Sequence, residues 1–441
     1  MKKKNLFQYR AGFKIIIIMV IAFLPLSCAS NKPHQIDLMP APDVYTSGEV
    51  DPFEGLPSIE TAPYRGILYA TDRMPDRDSE NFYKNERGNV LRLGIGKIES
   101  GDKDFTWEEA RKISLLKNRS SKYPLKVTGV EELGILDYSC SEFTDPAEIA
   151  PDPAEPREKF IELVNKKLAI SKKKDIYIYV HGYKVVFDNP LLVATELWNF
   201  LGYDGVFIAY AWPSTPKSLA YFSDLETAVM SSRFLRTLIE MLAAESNAEN
   251  IHIIGYSAGT RVVINTLYQM ALLHNNEKES GISKKLKLGH VILTGSDFDR
   301  QIFGMYLMDG LMDITRDFTI YTSKTDKAIG ASRFIFRRER LGSMWNEGEL
   351  NPRALTYLER MDNLRFIDAT GAEGSDTGNG HAYFRKSPWV SSDILLTLMY
   401  DLTPEQRGLV RTPGSGVWEF PDDYGDKLSD RIKKANPELY K

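Results

Sequence analysis

The chain has 441 residues, 43% of them apolar and 26% charged, an ordinary globular composition with length for one large core or two smaller ones. A net charge of −4 and a pI near 6.0 exclude a broadly basic face, so no nucleic-acid partner is expected. Cys28 and Cys140 are the only cysteines, so the fold relies on its core rather than on cross-links.

Lys2, Lys3, Lys4 and Arg10 precede an apolar run, Ile15 to Leu26, that is short for a membrane span. A basic, then apolar, then polar order reads as an export signal. Leu26-Ser27-Cys28 resembles the lipidation site of bacterial lipoproteins, although Pro25 stands where that pattern prefers leucine. The resemblance implies a signal peptide over residues 1–27, a lipid on Cys28 and anchorage in a bacterial cell envelope. Ala29 replaces the aspartate that often retains lipoproteins at the inner membrane, which points to the outer one. Residues 28–62 are Pro-rich and aperiodic and read as a tether to a domain over 63–441.

Within that domain, residues 63–155 hold two strands, Gly66–Ala70 and Leu91–Gly96, then a short helix over Trp107–Leu116 and a Pro/acidic connector, Thr144–Pro156. Cys140 in this part reads as a buried small residue. Residues 156–402 alternate regularly. Helix-spaced apolar residues over Arg157–Ala169 precede a strand, Ile176–Val180. A helix over Pro190–Leu201 and a strand, Val206–Tyr210, follow. Ser223-Asp224-Leu225-Glu226 reads as a capping box opening a helix to about Ala244. Further strands are expected at Ile251–Ile254, His290–Thr294, Phe318–Thr322 and Leu364–Asp368, and residues 403–441 form a C-terminal extension. Apolar strands alternating with helices predict an α/β fold with a mostly parallel sheet covered by helices on both faces. Active sites of such sheets lie at the carboxyl ends of the strands.

Gly255-Tyr256-Ser257-Ala258-Gly259 stands between a predicted strand and helix. G-x-S-x-G in that context is a nucleophile elbow, which lifts the serine hydroxyl above the sheet. His181-Gly182-Tyr183 ends an earlier strand, and a glycine there lets the backbone approach a ligand. The N–H groups of Tyr183 and Ala258 are the expected oxyanion donors. Among six histidines, His381 lies after the last predicted strand of the alternating core in a glycine-flanked loop, where a base for Ser257 is needed. Asp326, at an intervening strand end, is the expected acid, with Asp297 in reserve as an alternative. Trp212 reads equally as a pocket wall or a core residue. Ile302–Met308 reads as a core helix or one side of an acyl pocket. Asp299 is expected to cap that helix, and Asp224 to favour a helix dipole. Arg333, Arg337, Arg338 and Arg340 form a basic cluster that faces solvent, an anionic substrate or lipid head groups. No zinc-ligand spacing occurs, so neither metal nor cofactor is expected.

The elbow, Val180-His181-Gly182-Tyr183, Trp212-Pro213-Ser214 with Tyr221 and Asp224, Asp326-Lys327-Ala328 and His381-Ala382-Tyr383-Phe384 together resemble bacterial α/β-hydrolases of uncharacterised function, described as esterase/lipase-like. Tyr69-Ala70-Thr71-Asp72-Arg73 belongs to the same resemblance, as a structural or rim element. Tyr256 departs from it, since relatives often carry histidine before the nucleophile. The resemblance implies the α/β-hydrolase fold and a serine hydrolase acting on small-molecule or lipid-like esters through Ser257, His381 and Asp326, with His181, Trp212 and Tyr256 as possible pocket residues. An amidase, peptidase or acyl-glycan hydrolase with the same triad, and a non-catalytic binding protein on the same fold, are the alternatives.

Overall fold

The computed structural model describes residues 34–435 apart from 47, 49, 56–62, 78–81, 101–106, 118, 120–121, 218–219, 275–283, 346–348, 350 and 413. The signal peptide, Cys28 and the first residues of the tether lie outside the described residues. No helix among the described residues is long and apolar enough to cross a membrane.

In chain order the elements are β1 (Gln35–Asp37), β2 (Ile67–Pro75), β3 (Tyr83–Ser100), α1 (Trp107–Ser114), β4 (Pro124–Ile135), α2 (Glu155–Ile170), β5 (Asp175–Val180) and α3 (Asp188–Phe200). They continue with β6 (Val206–Tyr210), α4 (Tyr221–Glu245), β7 (Asn250–Tyr256), α5 (Gly259–His274), β8 (Leu288–Thr294), α6 (Arg300–Met308), β9 (Asp317–Thr322) and α7 (Lys327–Phe336). Last come α8 (Pro352–Glu359), β10 (Leu364–Asp368), α9 (Tyr383–Lys386), α10 (Pro388–Tyr400), β11 (Val410–Arg411), β12 (Val417–Glu419) and α11 (Tyr424–Ala435).

The strands form one sheet in the order β1-β4-β3-β2-β6-β5-β7-β8-β9-β10-β12-β11. It is parallel from β2 through β12 and antiparallel at its two ends. β5, β6 and β8 are buried at every position, so both faces of the central sheet are covered. After β5 the chain places β6 on one side of it and then β7 on the other. In open α/β sheets a ligand crevice lies at such a reversal, here at the carboxyl ends of β5 and β7.

Several expectations need correction. β3 extends far beyond Leu91–Gly96, and β4 was not expected at all. In both, Gly and charged residues interrupt the apolar pattern, because much of this antiparallel wing faces solvent on one side. The capping box does not form. α4 starts at Tyr221, and Ser223 lies inside its first turn, donating to the Ala220 carbonyl at 2.8 Å. Tyr221 is drawn into the helix by its side-chain contacts with Tyr183 and Phe336. Cys140 is half-buried, not buried, because the turn that carries it lies at the domain surface.

The described part of the expected tether packs on the domain. Met39, Ala41, Val44, Tyr45, Val50 and Phe53 are buried. Glu196, deep in α3, accepts from the Met39 N–H and pairs with Arg385 at 2.5 Å. Arg119 donates to the carbonyls of Leu38 and Met39 at 3.0 and 2.7 Å. Irregular segments satisfy their backbone through such side chains, so burial here leaves no periodic trace. Tyr45 stacks on Phe200 and donates to its carbonyl at 2.5 Å. Tyr45→Ala is therefore expected to cost about 3–5 kcal/mol, read as a lowered midpoint in urea unfolding. A free tether would show no change.

Candidate active site

Ser257 sits between β7 and α5 with φ +53°, in the left-handed region that a non-glycine residue adopts only when its surroundings demand it. Its N–H donates to the Thr294 carbonyl of β8 at 2.9 Å. Its carbonyl accepts from the Thr260 N–H at 3.0 Å and the Thr260 hydroxyl at 2.6 Å. The turn is closed by absent side chains. A Cβ on Gly259 would lie 2.1 Å from the His181 carbonyl oxygen, and one on Gly182 would lie 2.8 Å from Ser257 Cβ. The backbone after β5 thus runs directly beside the elbow.

His381 reaches Ser257 across the top of the sheet. Its Nε2 is 2.8 Å from Ser257 Oγ, and its Nδ1 is 2.7 Å from Asp326 Oδ2. Asp326 is buried, and its other oxygen accepts from the Ile329 N–H at 3.0 Å, capping α7. An imidazole that donates from Nδ1 to a carboxylate presents Nε2 as an acceptor for the serine proton. The Asp326 turn and the His381 loop are tied together by Lys327 N–H donating to Asn379 O at 3.0 Å. Gly295 leaves room for the ring. A Cβ there would be 2.9 Å from His381 Cε1. Tyr383 holds Gly295 in place, accepting from its N–H at 2.6 Å and donating to Tyr321 O at 2.9 Å.

Asp297 is not brought to His381. It is buried, accepts from Tyr221, Ser332 and Arg261, and has Arg340 close by. The carboxylate that meets the histidine is Asp326. Arg340 consequently differs from the cluster it was grouped with, being buried with its guanidinium 4.3 Å from the Phe336 ring centre. Tyr256 packs its ring 5.0 Å from His381 and 4.8 Å from Phe384, beside the half-buried Ser257.

The other side of the crevice is supported from beneath. Tyr183 follows Gly182, and its ring meets Tyr221 edge-on at 5.1 Å. Ala258 stands at the start of α5, where the first N–H groups have no partner within the helix. Trp212 forms no open pocket wall. It is fully buried, stacked on His181 at 5.4 Å, and donates from its ring nitrogen to His181 O at 2.7 Å. His181 is buried too, with Nδ1 and Nε2 against the carbonyls of Gly182 and Trp212 at 2.7 and 3.0 Å. Burial, then the nearby Arg73 charge, lowers its pKa to about 3, against the two carbonyl contacts, which raise it.

The Thr71-Asp72-Arg73 motif lies in this support rather than at a rim. Thr71 donates to Ala211 O at 2.6 Å, and Arg73 donates to Val185 O at 3.1 Å and to Asn85. Ser231 and Tyr210 donate to Asp72 at 2.6 and 3.2 Å. Asp224 likewise accepts from the Thr215 N–H and hydroxyl at 2.8 and 2.9 Å, fixing the loop after β6. Gly295, Tyr383 and Arg261 were missed as site residues. Gly295, immediately after a strand in Thr294-Gly295-Ser296, was the one legible signal. Asp299 caps α6 through Gln301 and Ile302 N–H groups. α6 is a surface helix, burying Phe303 and Leu307 while Met305 and Met308 face solvent. Among the described residues, His290, Asp317 and Asp401 come close enough to share a cation. Arg316 and Arg365 already pair with those carboxylates, and His290 and Asp317 lie at the far ends of their strands from Ser257.

Burial raises the Asp72 pKa to about 6. A raised folded-state value means the carboxyl favours folding below its ordinary value of 3.8 and loses that contribution as pH climbs through about 6. Asp72→Asn should therefore gain stability relative to the parent between pH 4 and pH 7, by on the order of 2–3 kcal/mol. Urea unfolding at the two pH values measures it.

The family model described as alpha/beta hydrolase of unknown function (DUF900) matches residues 157–398, from α2 into α10, more than half of the chain. No curated protein and no solved structure matches. The matched region contains the elbow, the His181–Tyr183 loop, Asp326 and His381, and the chain belongs to this family of α/β-hydrolases.

Proposed function

We propose that the protein is a serine hydrolase that cleaves carboxylic esters through an acyl-enzyme. The observation that carries this reading is the continuous hydrogen-bonded chain from Ser257 Oγ through His381 to Asp326, at 2.8 and 2.7 Å. His381 Nε2 takes the Ser257 proton as Oγ bonds to the substrate carbonyl carbon. The carbonyl oxygen, now negative, is met by the N–H groups of Ala258 and Tyr183. The protonated His381 returns its proton to the departing alcohol, and the buried Asp326 stabilises the imidazolium between these steps. Water, activated by the same imidazole, then releases the acid. The close passage of Gly182 beside Ser257 supports Tyr183 as the second donor. The signal at residues 1–28 supports an envelope-tethered enzyme with a lipid on Cys28, on sequence alone.

A panel of p-nitrophenyl esters and matching anilides tests the reading. Asp326→Asn should lower kcat by about 10⁴-fold by favouring the wrong histidine tautomer. Asp297→Asn, compared on folded protein, should lower it by about tenfold or less, because that carboxylate does not touch the imidazole. Ester turnover undiminished in Ser257→Ala would refute the mechanism. Anilides hydrolysed as fast as esters would replace the ester assignment by an amide one.

A further inference from the structure

The outward face of α7 combines exposed cations with exposed apolar side chains. From Lys327 to Arg338 the sequence is Lys-Ala-Ile-Gly-Ala-Ser-Arg-Phe-Ile-Phe-Arg-Arg, with cations at Lys327, Arg333, Arg337 and Arg338; Glu339 follows and lies 3.5 Å from Arg333 in a solvent-exposed pair. This is a concentrated positive surface on a chain whose net charge is −4. Ile329 and Ser332 face inward, while Lys327, Gly330, Ala331, Arg333, Phe334 and Ile335 face solvent. Phe334 is 84% exposed and Ile335 55% exposed, at the end of the helix where Arg337 and Arg338 follow. Phe222, at the start of α4, is 58% exposed and packs 5.7 Å from Phe336.

We propose that α7 docks on an anionic phospholipid bilayer, with Phe334 and Ile335 entering the head-group region and the four cations meeting lipid phosphates. Two features select a bilayer over an acidic protein. The apolar side chains of Phe334 and Ile335 project outward instead of lining a groove, and no neighbouring element stands over the helix at Gly330, where a Cβ would meet nothing within 4 Å. Apolar residues flanked by Lys and Arg on one helix face are the pattern of helices that lie in a membrane interface. The attraction is to lipid charge and is sensitive to salt.

The position gives this docking a consequence. Asp326, the residue bonded to His381, caps the start of α7. At its other end Phe336 packs on Tyr221 at 5.8 Å, and Tyr221 packs on Tyr183. A bilayer held by α7 therefore lies beside the crevice that contains Ser257. The docking itself does not depend on the ester assignment.

The test uses the full chain carrying Phe334→Trp, mixed with vesicles of brominated phosphatidylcholine alone or with about 30 mol% phosphatidylglycerol. The added tryptophan emission, taken as the difference from the parent protein, should be quenched by about half or more on the anionic vesicles and stay unquenched on the neutral ones. Arg333→Gln, Arg337→Gln and Arg338→Gln together should abolish the quenching, as should about 0.5 M salt. Because the readout is local to residue 334, attachment through the N-terminus alone does not produce it. No quenching on anionic vesicles, or equal quenching on neutral ones, would overturn the proposal whether or not Ser257 is the nucleophile.

Discussion

One close approach organises the catalytic half of this molecule. The chain leaving β5 and the elbow leaving β7 pass so near each other that neither Gly182 nor Gly259 can carry a side chain. This contact lies at the β5–β7 boundary, where the chain places β6 on one side of β5 and β7 on the other. The two backbones are held together with Ser257 in the left-handed region and Gly182 directly beside it. The strain is borne by the surroundings. Thr294 and Thr260 bind the Ser257 backbone, while Trp212, His181 and Arg73 brace the β5 loop from below.

The remaining constraint is to bring a histidine to that hydroxyl from a strand far along the sheet. Gly295 supplies the space, Tyr383 locks the gap, and the Lys327–Asn379 backbone bond sets the Asp326 turn against the His381 loop. Asp297, one strand nearer, serves another purpose. It collects Tyr221 from α4, Arg261 from α5 and Ser332 from α7 into one buried cluster. The same cluster supports Phe336 and hence the exposed helix face above it, so the surface of α7 and the crevice share one foundation.

Much of this was legible in the sequence because parallel strands covered on both faces are continuous apolar runs. Ile176–Val180, Ile251–Ile254 and Leu364–Asp368 could be read as strands, and the segments after them then pointed to His181, Ser257 and His381. The choice of Asp326 over Asp297 came from chain order, and the hydrogen bonds place Asp326 on the histidine. What was hidden has a common cause. Met39, Ala41, Val44, Tyr45, Val50, Phe53 and the Thr71-Asp72-Arg73 motif are buried in segments held by individual hydrogen bonds and ion pairs, which impose no period. Likewise Arg340 differs from Arg333, Arg337 and Arg338 in what surrounds it, the half-buried Phe336 ring and the buried Asp297 carboxylate. Trp212 illustrates the same point, since a tryptophan after a strand fits a pocket wall and a buried brace equally well until His181 is seen beneath it.

The central claim is that Ser257 is the activated nucleophile, and the most direct measurement is the site of covalent capture. Full-length protein treated with a fluorophosphonate, digested and analysed by mass spectrometry should carry one adduct, on the peptide containing Ser257, and His381→Ala should slow its formation by about 10⁴-fold or more. An adduct on another residue, or formation at Ser257 with undiminished rate when His381 is removed, would contradict the account.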